Sequence, residues 1–255
     1  MPEPKDPAPA VSRALRLLEV LSEAQGEPMS LAALSRAVGI AKSSASNICA
    51  VLEDGRMIHR ADGGYRLGMR TAELGGAFAA QFNQVREFFG VVESMPELAH
   101  EVVQIAVLDG TDALYLARHE GRRERLGTPI GSRLPLVYTA AGNALLMALA
   151  DDEVEDILRA EHFAPKTPRS VRAPQEAWEK IRAARERGFA VDRGESLDAV
   201  YGVAAPLPAW RPGDPQMALG VALPREETDY TTVERVGAAV VDAARQLTNP
   251  LAARP

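Results

Sequence analysis

Short polar side chains cluster at the start of one predicted helix, and the chemistry they offer is hydrogen bonding. They are Lys42, Ser43, Ser44, Ser46 and Asn47, which combine one cation with four small donors and acceptors. The free N–H groups at a helix N-terminus favour phosphate, and an Asn side chain pairs with the N6 and N7 edge of adenine. The cluster therefore suits the major groove of double-stranded DNA, although Ser43 and Ser44 also suit a purely capping role.

Two predicted helices position this cluster. The helix that carries it runs over residues 42–54, and its inner face is formed at i, i+3, i+4 and i+7 by Ala45, Ile48, Cys49 and Leu52. A shorter helix over residues 31–38 precedes it, with Ser30 as its N-cap and Gly39 after its last turn. A short helix, a tight turn and a second helix are typical of a helix-turn-helix.

A β-hairpin is predicted directly after the second helix. Residues 57–59 lead into the turn Ala61-Asp62-Gly63-Gly64, which tolerates positive φ, and residues 65–67 return as the second strand. Arg60 and Arg66 flank the tip, where they either contact backbone phosphates or are ordinary solvated charges. A first amphipathic helix is predicted from Val11, Ala14, Leu15, Leu18 and Leu21. Residues 11–68 are thus predicted to form a winged helix-turn-helix.

The distribution of charge limits how this domain binds DNA. The chain has a net charge of −6, yet residues 1–70 hold 9 Lys+Arg against 8 Asp+Glu. Because the domain is nearly neutral, DNA affinity depends on the local placement of Arg13, Lys42, Arg60 and Arg66, and it is expected to be sensitive to salt. This balance argues against a protein that packages nucleic acid in bulk.

A linker helix is predicted over residues 69–89, which contain few helix breakers. Its apolar residues are spaced by three or four and are Leu74, Phe78, Phe82, Val85 and Phe89. Three phenylalanines on one stripe are unusual in water, so this face is expected to pack against a partner chain, with burial inside one chain as the alternative.

From Val102 onward the pattern changes to strands that alternate with helices. A hairpin is predicted from residues 102–108 and 113–117 around Asp109-Gly110, with helices at 139–150 and 174–187. Strands are predicted at 190–193, 200–207 and 217–223, and a closing helix at 231–248. The fold class is therefore α+β, with a mainly antiparallel sheet flanked by helices.

No catalytic constellation is visible in this second half. The four histidines fit no zinc-ligand spacing, and the nucleophile-elbow, P-loop and dinucleotide motifs are absent from the sequence. We therefore expect no enzyme activity, no metal and no cofactor. Cys49, the only cysteine, lies on the inner helix face and is interpreted as a core residue.

The remaining composition indicates a cytoplasmic, nucleoid-associated protein. Apolar runs stay well short of the roughly 20 residues of a membrane helix, so no membrane partner is expected. Residues 1–10 are rich in Pro and charge, lack the apolar centre of a signal peptide, and are predicted to be disordered.

Motifs along nearly the whole chain resemble one family. In order they are residues 12–18, 31–36, 42–44 and 64–68, then 107–110, 131–136, 141–146 and 187–192. They resemble the DNA-binding and effector-binding halves of IclR-type bacterial transcriptional regulators. The resemblance implies a GAF-like effector domain over residues 90–250 and a homodimer, with a homotetramer as the alternative. A dimer reads two half-sites of a near-palindromic operator.

The resemblance also implies where a small-molecule effector binds. The matching positions are Ala140, Ala141 and Gly142 at a helix start, followed by Asp192, Gly202, Gly220 and Ala222 on later strands. Leu126 and Ile130 are expected to supply an apolar wall. A helix start suits a carboxylate. Asp192 either accepts hydrogen bonds from the effector or is an exposed turn carboxylate.

The chain departs from the family pattern in both halves. Gly202, Gly220 and Ala222 stand where members that bind very small oxoacids carry a cysteine and two serines, and Tyr201 stands at a commonly basic position. Smaller side chains leave more room, so a larger or more aromatic acid is expected. Asn47 replaces a frequent arginine, which shifts the expected operator preference toward adenine.

These observations predict a sequence-specific, DNA-binding transcriptional regulator, a repressor, controlled by a small organic effector, with a carboxylate as the expected class. One alternative is a ligand-responsive enzyme with a DNA-binding appendage, and another is a constitutive architectural DNA binder. The sequence leaves open the operator, the effector's identity and the sign of regulation.

Overall fold

A computed structural model describes residues 6–122 and 126–249. The chain divides into two compact units, residues 1–81 and 82–255. The fold is α+β, as the sequence predicts. In the described ranges no helix has both the length and the apolar character that crossing a membrane requires.

Over its described residues, 6–81, the first unit holds four helices and one hairpin. They are α1 (Pro9–Glu23), α2 (Leu31–Val38), α3 (Lys42–Asp54), β1 (Ile58–Ala61), β2 (Gly64–Leu67) and α4 (Met69–Ala79). α2, α3 and the hairpin match the predicted helix-turn-helix and wing. Ser30 caps α2 by accepting the Ala33 N–H, and Gly39 ends it with φ +71°.

The buried face of α1 matches the predicted one only in its second half, where Leu21 is buried and Leu18 packs against the core. Leu17 and Val20 enter the core of the first unit, whereas Val11 and Leu15 are exposed. The helix also begins at Pro9, inside the segment predicted to be disordered, because Pro is favoured in the first helical turn. Residues 1–5 of that segment lie outside the described residues.

The wing is joined by a third strand segment that the sequence did not reveal. Met29 and Tyr65 exchange two backbone hydrogen bonds, of 3.0 and 2.9 Å. Gly64 makes this approach possible, since a Cβ there would lie 2.1 Å from the Met29 carbonyl oxygen. The wing is thereby tied to the segment that leads into α2.

The predicted linker helix over residues 69–89 is wrong as one continuous helix. α4 ends at Ala79, and α5 (Asn83–Ser94) begins after Phe82, whose backbone is extended. The break has a packing reason, because Phe82 is buried in the apolar core of the second unit. Leu74 on α4 is 49% exposed.

The second unit is a six-stranded antiparallel sheet with helices on both faces. The strands are β3 (Val102–Asp109), β4 (Asp112–Glu120), β5 (Arg133–Pro135), β6 (Ala190–Arg193), β7 (Val200–Leu207) and β8 (Met217–Pro224), in the order β5-β4-β3-β8-β7-β6. The helices after α5 are α6 (Pro96–Ala99), α7 (Ala140–Met147), α8 (Asp151–Ala160), α9 (Pro174–Arg187) and α10 (Tyr230–Gln246), with short 3-10 turns at Leu136–Tyr138 and Arg225–Glu227.

The two faces of this sheet carry side chains of different size. Val203, Leu219 and Val221 belong to the cluster that includes α5, α6 and α10. Ala204 and Ala218 face the other cluster, which includes α7, α8 and α9. Small residues on that face let α7 approach the strands closely.

The helix predicted at 139–150 is shorter in the structure, and a separate helix, α8, follows it. α7 ends at Met147, and α8 starts with three acidic residues, Asp151, Asp152 and Glu153. The Glu153 carboxylate accepts the Ala150 N–H at 3.0 Å, which supports the new helix start.

Gly142 gives a test of how tightly α7 is packed. A Cβ at this position would lie 2.2 Å from the backbone oxygen of Leu136, whereas a Cβ at Gly90 in α5 meets nothing within 4 Å. We expect Gly142→Ala to lower the free energy of unfolding by about 2 to 3 kcal/mol. Gly90→Ala, the matched helical control, is expected to be neutral or slightly stabilising. Urea denaturation measures both, and equal effects would contradict close packing at α7.

Candidate DNA-binding surface and effector cavity

The outer face of α3 is polar and exposed. Lys42, Ser43, Ser46 and Asn47 are exposed, and Ser44 is half-buried. Ala41 occupies the N-cap without a side-chain hydrogen bond, so Ser43 and Ser44 do not cap this helix. Within the described ranges none of these five side chains has a protein hydrogen-bond partner, so all are available to an external ligand.

The inner face of α3 holds this surface in place. Ala45 and Cys49 are fully buried, and Ile48 and Leu52 pack against the same core. Burial raises the pKa of the Cys49 thiol, which keeps the sulfur protonated and unreactive. Cys49 is therefore a core residue, as predicted.

The candidate phosphate-contacting arginines differ in their surroundings. Arg60 donates from Nε to Glu53 at 3.3 Å, and its guanidinium lies 5.2 Å from the centre of the Tyr65 ring. Arg66 is exposed on β2, opposite His59, and Arg13 is exposed on α1. Between the wing and α3 lies a groove of about 310 Å³ that Ser46 and Arg60 line.

The second unit contains a small cavity where α7 begins and meets the sheet, here called the central cavity. Its volume is about 50 Å³, room for a few water molecules. Six of the nine predicted effector positions line it, namely Ala140, Ala141, Asp192, Gly202, Gly220 and Ala222. Their role in binding stays a prediction.

The other three predicted positions lie away from the cavity wall. The Leu126 carbonyl accepts a hydrogen bond of 2.6 Å from Arg118, and Ile130 is 61% exposed. The Gly142 N–H is already donated to the Thr139 hydroxyl at 2.9 Å. Gly142 is therefore occupied in capping α7, and neither Leu126 nor Ile130 forms the expected apolar wall.

Several lining residues were missed, and Tyr115 is the most important of them. The others include Gln104, Thr128, Leu134, Thr139, Ser196 and Val200. Burial raises the pKa of the Tyr115 phenol to about 12, against the opposing effect of hydrogen bonds with Thr139 and Thr128. Side chains alternate between the two faces of a strand, and this alternation along β4 is the sequence signal that puts Tyr115 on the cavity face. Which residues Tyr115 contacts there depends on how the strands pair across the sheet.

Asp192 is a buried carboxyl, so the alternative of an exposed turn residue is wrong. It is 5% exposed, and its Oδ1 accepts the Glu195 N–H at 2.6 Å. Burial raises the pKa of the Asp192 carboxyl to about 7, a rise that backbone hydrogen bonds and the charge of Lys180 limit. Asp192 therefore titrates near neutral pH.

Gly202 does not enlarge the cavity, contrary to the prediction. A Cβ on Gly202 would lie 2.9 Å from the Ala140 Cβ, and one on Gly220 would lie 3.6 Å from the Ala141 Cβ. At Gly202 the space that a side chain would occupy is filled by α7 itself, because helix and sheet pack to close contact, whereas a Cβ on Gly220 would make an ordinary van der Waals contact.

Comparisons with known proteins agree with both halves of the fold. The description "IclR helix-turn-helix domain" matches residues 10–62, and "Bacterial transcriptional regulator IclR C-terminal" matches residues 79–249. The HTH-type transcriptional regulator XynR of Escherichia coli is 26% identical over 201 residues, 78% of this chain and 79% of that protein. The E. coli transcriptional repressor IclR is 24% identical over 244 residues, 94% of this chain and 88% of that protein.

Solved structures share the same fold. IclR of Thermotoga maritima superposes with a TM-score of 0.76 at 20% identity, covering 93% of this chain and 96% of that one. An IclR homolog from Microbacterium hydrocarbonoxydans, complexed with 4-hydroxybenzoate, gives a TM-score of 0.79 at 23% identity and covers 93% and 97%. Because a family description matches more than half of its length, this chain belongs to the IclR family of bacterial transcriptional regulators.

Proposed function

We propose that the chain is a transcriptional repressor that binds an operator through α3 and responds to a small carboxylic acid in the central cavity. The observation that carries the proposal is the outer face of α3, whose polar side chains are exposed apart from the half-buried Ser44 and have no hydrogen-bond partner among the described residues, while its inner face is buried. The relatives IclR and AllR of E. coli are named as repressors, which supports the sign of regulation. Binding to chromosomal DNA implies a place at the nucleoid.

The DNA-contacting residues divide into two roles. Asn47 is assigned to a base edge, because its amide can both donate to and accept from adenine. Lys42, Ser43, Arg13 and Arg66 are assigned to phosphates, which position the helix without reading sequence. Arg60 joins them by exchanging its solvent-exposed ion pair with Glu53, which is weak, for a contact with a phosphate.

Operator recognition tests the base-reading role of Asn47. We expect Asn47→Ala to weaken binding to the cognate operator by about 1 to 3 kcal/mol and to leave binding to random DNA nearly unchanged. Arg66→Ala is the control and is expected to weaken both by similar amounts, because it removes a phosphate contact. Fluorescence anisotropy at fixed salt measures all four affinities. Equal losses on both DNAs for Asn47→Ala would make it a phosphate contact.

The central cavity is suited to a carboxylate for two reasons. Ala140 and Ala141 lie in the first turn of α7, where backbone N–H groups have no partner within the helix. Asp192 is neutral at slightly acid pH and then tolerates a neighbouring anion. A few-carbon acid suits the 50 Å³ cavity as it stands, whereas an aromatic acid such as the 4-hydroxybenzoate of the neighbouring structure is larger than this volume.

Effector affinity is expected to depend on pH through Asp192. Below pH 7 the carboxyl is protonated and neutral, and as the pH rises through its pKa of about 7 it becomes an anion beside the bound carboxylate. Affinity for the effector should therefore fall about tenfold between roughly pH 6 and 8. Calorimetric titration of candidate carboxylates across this range measures it.

Asp192→Asn is the matched variant, because it keeps the shape of the side chain and removes its ionisable carboxyl group. Its effector affinity should stay flat over the same pH range. An unchanged pH dependence in this variant would show that another group controls binding.

Assembly as a dimer is the third part of the proposal. Leu74 and Phe78, four residues apart on one face of α4, are 49% and 42% exposed, more apolar surface than a helix usually leaves in water. We assign this face of α4 to the contact between two subunits, which would give one recognition helix to each operator half-site.

Light scattering tests this assignment. Leu74→Asp should dissociate the dimer and leave the far-ultraviolet circular dichroism unchanged, because it places a carboxylate in an apolar contact. Phe82→Asp is the contrasting variant and should lower the free energy of unfolding instead, since Phe82 lies in the core of the second unit. A dimer that survives Leu74→Asp would remove α4 from the interface.

A further inference from the structure

A second cavity lies in the second unit and shares no lining residue with the central one. Its volume is about 250 Å³, and it is bounded by α7, α9 and the edge strand β6. Its polar lining is formed by Asn143, Lys180, Arg187, Arg193 and Glu195. None of these residues lines the central cavity or belongs to the DNA-binding surface, although Lys180 and Glu195 also act on the buried Asp192. The second cavity therefore needs its own explanation.

Asn143, which lines this cavity, has one buried acceptor without a partner. The residue is 1% exposed, and its Nδ2 donates to the Thr139 carbonyl at 2.7 Å. Longer contacts of Nδ2 with the carbonyls of Leu136 and Val137 fix which end of the amide is nitrogen. Within the described residues the Oδ1 atom accepts no hydrogen bond. A buried acceptor of this kind favours a ligand that brings an N–H or O–H group.

The charged side chains of the cavity leave an excess of positive charge. Lys180 and Glu195 form an ion pair in which the side chains are 20% and 10% exposed, so they neutralise each other. The Arg187 guanidinium stacks over Phe189 at 5.2 Å, and Arg193 on β6 forms no ion pair within the described ranges. Two guanidinium groups at one cavity favour a carboxylate, which matches their planar arrangement of donors.

We propose that the second cavity binds a small hydroxy acid, with its carboxylate on Arg187 and Arg193 and its hydroxyl donated to Asn143 Oδ1. Burial sets this orientation, because Asn143 lies at the inner end while Arg193 is exposed. The volume suits a small metabolite and not a drug-sized molecule. The inference does not depend on an effector binding in the central cavity.

L-malate and succinate are a matched pair of probes, since they differ only by one hydroxyl group. Calorimetric titration of the full-length protein should show malate binding at least about tenfold tighter than succinate. Arg193→Ala should weaken malate binding about tenfold or more. Ala183→Phe, a substitution at an exposed position of α9 that lines the cavity, should block it.

Two control variants separate this site from its surroundings. Arg182→Ala removes another arginine of α9, one that stacks on Trp178 outside the cavity, and Ala222→Phe fills the central cavity. Both should bind malate as the wild type does. The proposal is overturned by absence of malate binding at about 10 mM, by equal affinity for malate and succinate, by wild-type binding in Arg193→Ala, or by loss of binding in Ala222→Phe.

Discussion

The close contact of α7 with the small-residue face of the sheet is the constraint on which the second unit depends. Ala140 fills the position where Gly202 carries no side chain, and Gly142 lets the Leu136 backbone pass. Because the helix lies so near the strands, its first turn borders the central cavity directly. The same contact limits the volume of that cavity. The close approach of α7 to the sheet therefore explains both why a helix end that favours anions borders the cavity and why the cavity is small.

The first unit was largely predictable from sequence, since its signals are local. Ser30, Gly39 and the Asp62-Gly63 turn mark boundaries that the structure keeps. The exceptions depend on contacts between elements. Leu17 and Leu15 have the same chemistry, and only packing against α2 and α3 decides that Leu17 is buried. Phe82 likewise interrupts a helical pattern because the second unit offers it a core.

The central cavity was less predictable, because it is formed by residues far apart in the chain. The strand positions came from the family resemblance, and in the structure β7 and β8 pair so that Gly202 lies opposite Ala222. Tyr115 comes from β4 and was missed, since its meeting with Thr139 depends on the order of strands. The effect of Gly202 was misjudged for a similar reason, as a sequence gives the size of a side chain but not the distance to its neighbour.

The pairing of Met29 with Tyr65 bears on how operator preference can evolve in this protein. It binds the wing to the entry of α2 through main-chain atoms alone, with Gly64 at the crossing. Most side-chain substitutions around this main-chain pairing are therefore expected to leave it intact. Preference for a new operator sequence can arise by single substitutions on the outer face of α3 or at the hairpin tip, without a change in the fold of the domain. Position 64 is the exception, and we expect lineages to keep glycine there while the residues around it diverge.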